Sequence, residues 1–226
     1  NGDKSQITWQ FPVETPVAIL INSVSYAVMM ATPADLRDFA LGFLSSEAVL
    51  RDAGKIRGIL EMPVESGISV DVAVDESAID TSRLARRTIE GRSGCGLCGV
   101  EEIEAAVRPL PRLSRNWAPR ADVIRTAAAA LHDAQPMNRF NKSVHGAAWV
   151  SPDGTIQLVR EDVGRHNALD KLIGALIRGG LAPSSGFVLM TSRCSYELVQ
   201  KTVTFGIGAL VTVSAPTALA YELAIK

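Results

Sequence analysis

Cysteine is scarce in this chain, with three in 226 residues, at positions 95, 98 and 194. Three thiols cannot build a disulfide framework, so a reducing, cytoplasmic setting is the expectation. Histidine is equally scarce, and His132, His145 and His166 complete no zinc-finger spacing. An excess of charge is also missing, with 23 basic side chains against 24 acidic ones. That balance argues against nucleic acid or a membrane surface as partner, while leaving room for a local basic site. No apolar run approaches the roughly 18–20 residues that cross a bilayer. The opening NGDKSQITW lacks the charged-then-apolar pattern of a secretion signal. Repeats and low-complexity tails are absent as well. What remains is an ordinary globular composition, sufficient for one large domain or two modest ones.

The first half reads as strands around one helix. TPVAILINSVSYAVMMAT is rich in branched apolar residues and broken by Asn22-Ser23, the pattern of a hairpin. In ATPADLRDFALGFLSSEAVL, the residues Leu36, Phe39, Ala40, Phe43 and Leu44 share one helical face. Thr32 is placed to cap that helix, Pro33 suits its first position, and Asp35 favours its N-terminal dipole. GISVDVAVD alternates like a half-buried strand. A short helix is expected in VEEIEAAVRPL, and an Ala-rich helix in DVIRTAAAALHDA. Between them the Pro- and Arg-rich RPLPRLSRNWAPRAD marks a boundary. The expected division is an N-terminal α+β domain over 1–115, which includes a cysteine loop at 91–99, and an α/β domain over 116–226.

The second half changes rhythm. TIQLVREDVGRHNALDKLIGALIRGG, GFVLMTSRCSYELVQKTVTFG and ALVTVSAPTALAYELAIK each run strand, polar loop, helix. That alternation predicts an α/β sandwich with strands mostly sharing one direction, and binding chemistry where strands hand over to helices.

In REDVGRHNALDKL, Asn167 can cap the helix with Asp170 three residues on, as in a capping box. Leu169, Leu172, Ile173, Leu176 and Ile177 form its apolar stripe. Gly164, Arg165 and His166 stand where an anion such as phosphate is welcomed, and Glu161 and Asp162 can accept hydrogen bonds from a base such as guanine. The same residues would also make a plain, well-capped turn. At the second handover, Ser192 and Arg193 lie at the strand end and Ser195 can cap the next helix. Cys194 there reads equally well as a small buried hydrophobe. Ser214 and Thr217 mark the third, with Pro216 set for the start of its helix. His145 opens an apolar strand, where a structural hydrogen-bonding role competes with a chemical one.

The stretch EGRSGCGLCGVEE sets Cys95 and Cys98 among four glycines. A structural zinc site needs four ligands, and the remaining cysteine and histidines do not supply them. The zinc deaminase pattern requires H-x-E ahead of P-C-x-x-C, whereas every histidine here follows the pair. A thioredoxin-like redox pair needs a rigid frame. Glycines at 94, 96 and 99 instead favour a loop that can swing, which suits a thiol that must visit two partners. A persulfide carrier fits that description best.

GCGLCG, EDVGRHNALDK, SRCSYELVQK, AVMMATPADLRDFALGF and SAPTALAYELA, taken with their surroundings from about Thr15 to Leu223, closely resemble the FdhD family of formate dehydrogenase accessory sulfurtransferases. The resemblance implies a C-terminal half similar to the three-layer α/β cytidine deaminase fold without its zinc chemistry, hence no metal site of its own, and a homodimer. It implies that Cys95 receives sulfur from a cysteine desulfurase as a persulfide, with Cys98 assisting. The sulfur then passes to the molybdenum (or tungsten) bis(molybdopterin guanine dinucleotide) cofactor that formate dehydrogenase requires. Gly164, Arg165, His166, Asn167, Ser192, Arg193 and His145 are the residues expected to hold that cofactor, with Asp162 at its base and GDP as a mimic of its nucleotide end. Lys142-Ser143 stand where the family shows a glycine pair, and the family's pattern continues past Lys226 with a Gly- and Arg-containing segment. A protein that binds and delivers the cofactor without moving sulfur is the alternative.

Overall fold

Two four-stranded sheets, one from each half of the chain, are joined through a pair of tightly packed helices. The structure is a computed structural model that describes residues 10–88, 109–114 and 117–226. The cysteine loop and the helix expected in VEEIEAAVRPL lie outside the described residues.

Strands β1 (Thr15–Ile21) and β2 (Val24–Ala31) form the expected hairpin. Its turn residues Asn22 and Ser23 both sit in the left-handed region, with φ of 49° and 66°. That pair of angles matches the twist of a two-residue hairpin. After helix α1 (Leu36–Ser46) come β3 (Ile56–Val64), β4 (Gly67–Val74) and helix α2 (Thr81–Thr88). The sheet order is β2-β1-β4-β3, with β1 parallel to β4 and the other pairings antiparallel. Its inner face, from Val17, Ile19, Val70 and Val72, is buried against Phe39, Phe43 and Leu44 of α1. The helical face and the strand alternation thus fall where sequence periodicity places them.

The start of α1 differs from expectation. Asp35 precedes the helix in a left-handed conformation, φ 53°, and no side chain caps it. Thr32 cannot serve as the cap because the second half of the chain uses it. Its N–H donates to Asp162 Oδ2 at 2.9 Å, its hydroxyl accepts from the Val163 N–H at 3.1 Å, and its carbonyl accepts from Lys171 Nζ at 2.9 Å.

The second half contributes α3 (Ala121–Leu131), α4 (Asn138–Asn141), β5 (His145–Val150), β6 (Ile156–Asp162), α5 (Arg165–Arg178), β7 (Phe187–Cys194), α6 (Tyr196–Phe205), β8 (Leu210–Pro216) and α7 (Ala218–Ile225). The sheet order is β6-β5-β7-β8. Strand β5 is antiparallel to both neighbours and β7 is parallel to β8, so β6, β7 and β8 share one direction. Ala127 and Leu131 of α3 cover one face through Ala148, Val150, Phe187 and Leu189. Leu169, Leu172, Ile173 and Leu176 of α5, with Leu198 of α6, cover the other through Ala147, Trp149, Val188 and Met190. The result is a three-layer α/β arrangement. Pro216 ends β8 rather than opening the next helix, and Thr217 caps α7 by accepting from the Ala220 N–H at 3.2 Å.

Helices α1 and α5 meet through their backbones. A Cβ added at Gly42 would lie 1.7 Å from the Asp170 carbonyl oxygen, and one at Gly174 would lie 1.9 Å from that of Asp38. Buried charges surround this contact. Lys171 and Asp162 pair at 2.7 Å with both side chains fully buried. Lys201 pairs with Asp170 at 2.9 Å and Glu47 at 3.0 Å, and Ser46 donates to Asp170. Asp38 accepts from Arg160 at 2.8 Å and Arg178 at 2.7 Å. Burial alone would push the Lys201 ammonium down, but Asp170 and Glu47 hold it above its ordinary value.

Gly42→Ala therefore tests the junction. Helix propensity favours Ala by about 1 kcal/mol, yet backbone overlap of this kind outweighs it, and a net loss of about 2–3 kcal/mol in urea unfolding is expected. Gly58→Ala, on β3 with nothing within 4 Å of the added carbon, is the control and should show no comparable loss. Equal stability of Gly42→Ala and the parent would contradict the close contact.

Candidate functional site

Because β6, β7 and β8 run the same way, their three handovers to helices open on one edge of the sheet. Strand β5 runs oppositely, so its first residue, His145, lies at that edge too, directly across from Asp162. The topology thus gathers His145, Gly164, Arg165, His166, Ser192, Arg193 and Ser195 from three separate stretches of sequence.

Their environments differ sharply. The Asp162 carboxylate is fully buried. It accepts from the Thr32 N–H and Lys171 Nζ through Oδ2, and from the Gly164 N–H and Asn167 Nδ2 through Oδ1. Two donors on each oxygen fill the acceptor capacity of a carboxylate. The base contact read for Asp162 from sequence therefore finds no free oxygen; this side chain shapes the loop instead. Glu161, also buried, accepts from the Met137 and Asn138 N–H groups at 2.8 Å each, which fixes the start of α4.

Asn167 and Asp170 likewise lie inside α5 rather than at its cap, which is Gly164 with no side-chain bond of its own. Asn167 Nδ2 reaches back to the Met30 carbonyl at 2.8 Å as well as to Asp162, and Asp170 turns inward to Lys201. Both were drawn into the junction with the first sheet. Ser192 is buried, its hydroxyl donating to the Arg193 carbonyl at 3.0 Å.

The side chains left open to a ligand are mostly cationic or neutral, with the partly exposed Glu197 carboxylate beside His166 as the exception. Arg165 is half-buried and Arg193 exposed, and neither pairs with a carboxylate among the described residues. The same holds for Arg139 and Lys142, which approach the edge ahead of β5 and escape sequence reasoning because isolated surface cations carry no pattern. His166 Nε2 lies 3.3 Å from Ser195 Oγ and 3.7 Å from Glu197 Oε2. Burial chiefly, then the charges of Arg165 and Lys201, push its pKa down to about 4, against a smaller opposing pull from Glu197 and Glu47. His166 is thus neutral at pH 7, with the Ser195 hydroxyl as a hydrogen-bond partner of its Nε2. Burial and Arg165 depress His145 in the same sense, with Asp162 opposing. Cys194 is half-buried, and burial pushes its thiol up, away from reactivity.

Among the described residues, no group of His, Cys, Asp and Glu gathers as a metal-ligand set, and no helix is long and apolar enough to cross a membrane. A cleft of about 290 Å³ lies at the opposite end of α5, lined by Arg37, Leu41, Ile59 and Arg178 among others. Its two arginines are tied to Glu61 and Asp38. Arg165 and Arg193, at the β6–β7–β8 edge, carry no such partner among the described residues.

The FdhD/NarQ family pattern matches residues 12–226. The chain belongs to that family. Curated relatives include the sulfur carrier protein FdhD of Cupriavidus necator, 50% identical over 93% of this chain and 73% of its own length. The sulfur carrier protein FdhD of Xanthomonas oryzae pv. oryzae is 45% identical over 99% of this chain and 80% of its own. A crystal structure from Desulfotalea psychrophila, of a chain proposed as a formate dehydrogenase accessory protein, superimposes with a TM-score of 0.72 at 27% identity. It covers 94% of this chain and 79% of that one.

The depressed pKa of His166 sets a pH dependence. Between pH 6.5 and 4 the unfolded chain binds this proton and the folded one does not, so stability falls as pH falls through that window. On the order of 2–3 kcal/mol is at stake. In urea unfolding at pH 7 and pH 4.5, His166→Gln should lose less stability between the two pH values than the parent does. An identical loss in both proteins would contradict a buried, neutral His166.

Proposed function

We propose that this chain is a sulfur carrier that serves formate dehydrogenase, loading sulfur on Cys95 and delivering it to a guanine-dinucleotide molybdenum cofactor held at the β6–β7–β8 edge. The observation that carries the reading is the 50% identity to a sulfur carrier protein over 93% of a chain that itself contains the Cys95–Cys98 pair. The unpaired cations at the edge support the delivery half of it, since a dinucleotide cofactor presents its pyrophosphates as the main anionic handle.

In the loading step the Cys95 thiolate attacks the outer sulfur of a cysteine desulfurase persulfide. A new S–S bond forms on Cys95, and the desulfurase cysteine leaves as thiolate. For release, the Cys98 thiolate attacks the inner sulfur of the Cys95 persulfide. The outer sulfur departs at the sulfide level, and the two electrons come from oxidation of both cysteines to a disulfide. A small thiol or thioredoxin-class reductant then resets the pair.

The edge residues divide the binding work. Arg165 and Arg193 contact phosphate oxygens. His166 and His145, neutral at working pH, add hydrogen bonds without further like charge. Gly164 and Asn167 act through the loop that Asp162 holds, rather than by their own polar groups, which are already bonded within the protein.

Intact-protein mass spectrometry after incubation with a cysteine desulfurase and cysteine, without reductant, tests the reading. The parent should gain one reducible sulfur, Cys95→Ser should gain none, and Cys98→Ser should load and then retain it. Absence of any gain on the parent beside an active desulfurase would favour a cofactor-binding protein that moves no sulfur.

A further inference from the structure

Among the described residues, five non-glycine residues adopt left-handed backbone angles: Asn22, Ser23, Asp35, Ala48 and Lys142. Asn22, Ser23 and Asp35 are short polar types that turns and helix starts tolerate there. Lys142 is different. A lysine gains no local side-chain hydrogen bond from this conformation, and the backbone strain costs roughly 1–2 kcal/mol that a glycine would avoid.

The conformation is nevertheless tightly determined. Lys142 closes α4 with φ 48°, its N–H donating to the Asn138 carbonyl at 2.9 Å. The next residue, Ser143, donates its N–H to Asn141 Oδ1 at 3.0 Å and its hydroxyl to the Asn141 carbonyl at 2.7 Å. Asn141 is itself buried. At the other end of α4, the buried carboxylate of Glu161 holds the Met137 and Asn138 N–H groups. Lys142 is therefore anchored, through a rigid one-turn helix, to the strand that carries Asp162 into the site loop.

Its position completes the argument. Lys142 stands three residues ahead of His145, within about 10 Å of it along the chain. His145 in turn lies in the field of Arg165 and across from Asp162. The Lys142 side chain is exposed and pairs with no carboxylate among the described residues. Ala48, the other left-handed residue of a type that turns do not favour, carries no charge and follows α1 in the first half of the chain. A cation unpaired among the described residues, in a strained but fixed conformation just ahead of the strand that opens on the edge of Arg165 and Arg193, is arranged for an anion.

We propose that Lys142 is a phosphate-binding residue of this edge and sets its affinity for the pyrophosphate end of a guanine nucleotide. The inference rests on the nucleotide-holding role given to the edge above. It adds a residue to which that role had not been assigned. As a compact ammonium on a flexible stem, Lys142 acts as a point charge toward the phosphates, whereas the base and ribose do not depend on it.

Calorimetry with GDP and with guanosine on the intact chain tests it, using Lys142→Gly, Lys142→Gln and Lys142→Arg. Lys142→Gly should raise the melting temperature by relieving the strain, yet weaken GDP binding roughly five- to tenfold. Lys142→Gln should weaken GDP binding to the same degree without the thermal gain, and Lys142→Arg should stay within about threefold of the parent. Any guanosine affinity should be unchanged throughout, and Arg125→Gln on α3, a remote unpaired cation, should leave GDP binding alone. If Lys142→Gly binds GDP as tightly as the parent, or more tightly, the assignment of Lys142 is overturned while the edge survives as the nucleotide site. If the folded parent binds no GDP, the nucleotide role of the edge falls, and the role of Lys142 with it.

Discussion

Helices α1 and α5 approach until neither Gly42 nor Gly174 has room for one more carbon, and the loop that Asp162 holds is set against the first sheet beside that contact. Such proximity brings polar backbone and charged side chains from both helices into the dry interior, where each must find a partner. Asp38, Asp170 and Asp162 do so with Arg160, Arg178, Lys201 and Lys171. Asp162 belongs to both regions. Its Oδ2 is bound on the junction side by Thr32 and Lys171, and its Oδ1 on the site side by Gly164 and Asn167. The loop that presents Arg165 and His166 is thereby fixed to the first sheet as firmly as to its own.

Charge is distributed to match. Within the junction every lysine and arginine is matched by an acid, as burial demands. At the β6–β7–β8 edge Arg165 and Arg193 have none among the described residues, and the two histidines nearby are held neutral. Solvated, unmatched cations cost little and remain available to an anion. Removing positive charge from His166 limits repulsion among them and leaves a hydrogen-bonding ring in its place. Such an edge suits the anionic ligand proposed for it.

Much of this was legible in the sequence where the signal is local. The Asn22-Ser23 hairpin, the apolar face of α1 and the Leu169–Leu176 stripe of α5 all follow from periodicity, and the structure places them accordingly. The three strand–loop–helix units likewise predicted that Arg165 and Arg193 would share an edge. Capping was misread for one reason. Thr32 and Asn167 are good local caps, but each is engaged by a hydrogen-bond partner more than 100 residues away, in the opposite half of the chain. Asp162 was read as open to a base because nothing near it in sequence reveals Thr32, and nothing in the helix pattern shows that Lys171 turns back to it. Lys142 left only a faint trace, as a lysine where a glycine pair was expected.

Hydrogen–deuterium exchange with and without GDP tests the central claim most directly, since it reports where the proposed guanine nucleotide ligand is held. The account predicts protection confined to the start of β5, the Val163–Asn167 loop and the β7–α6 handover around Arg193. Protection instead at the cleft between Arg37 and Arg178, at the far end of α5, would contradict it.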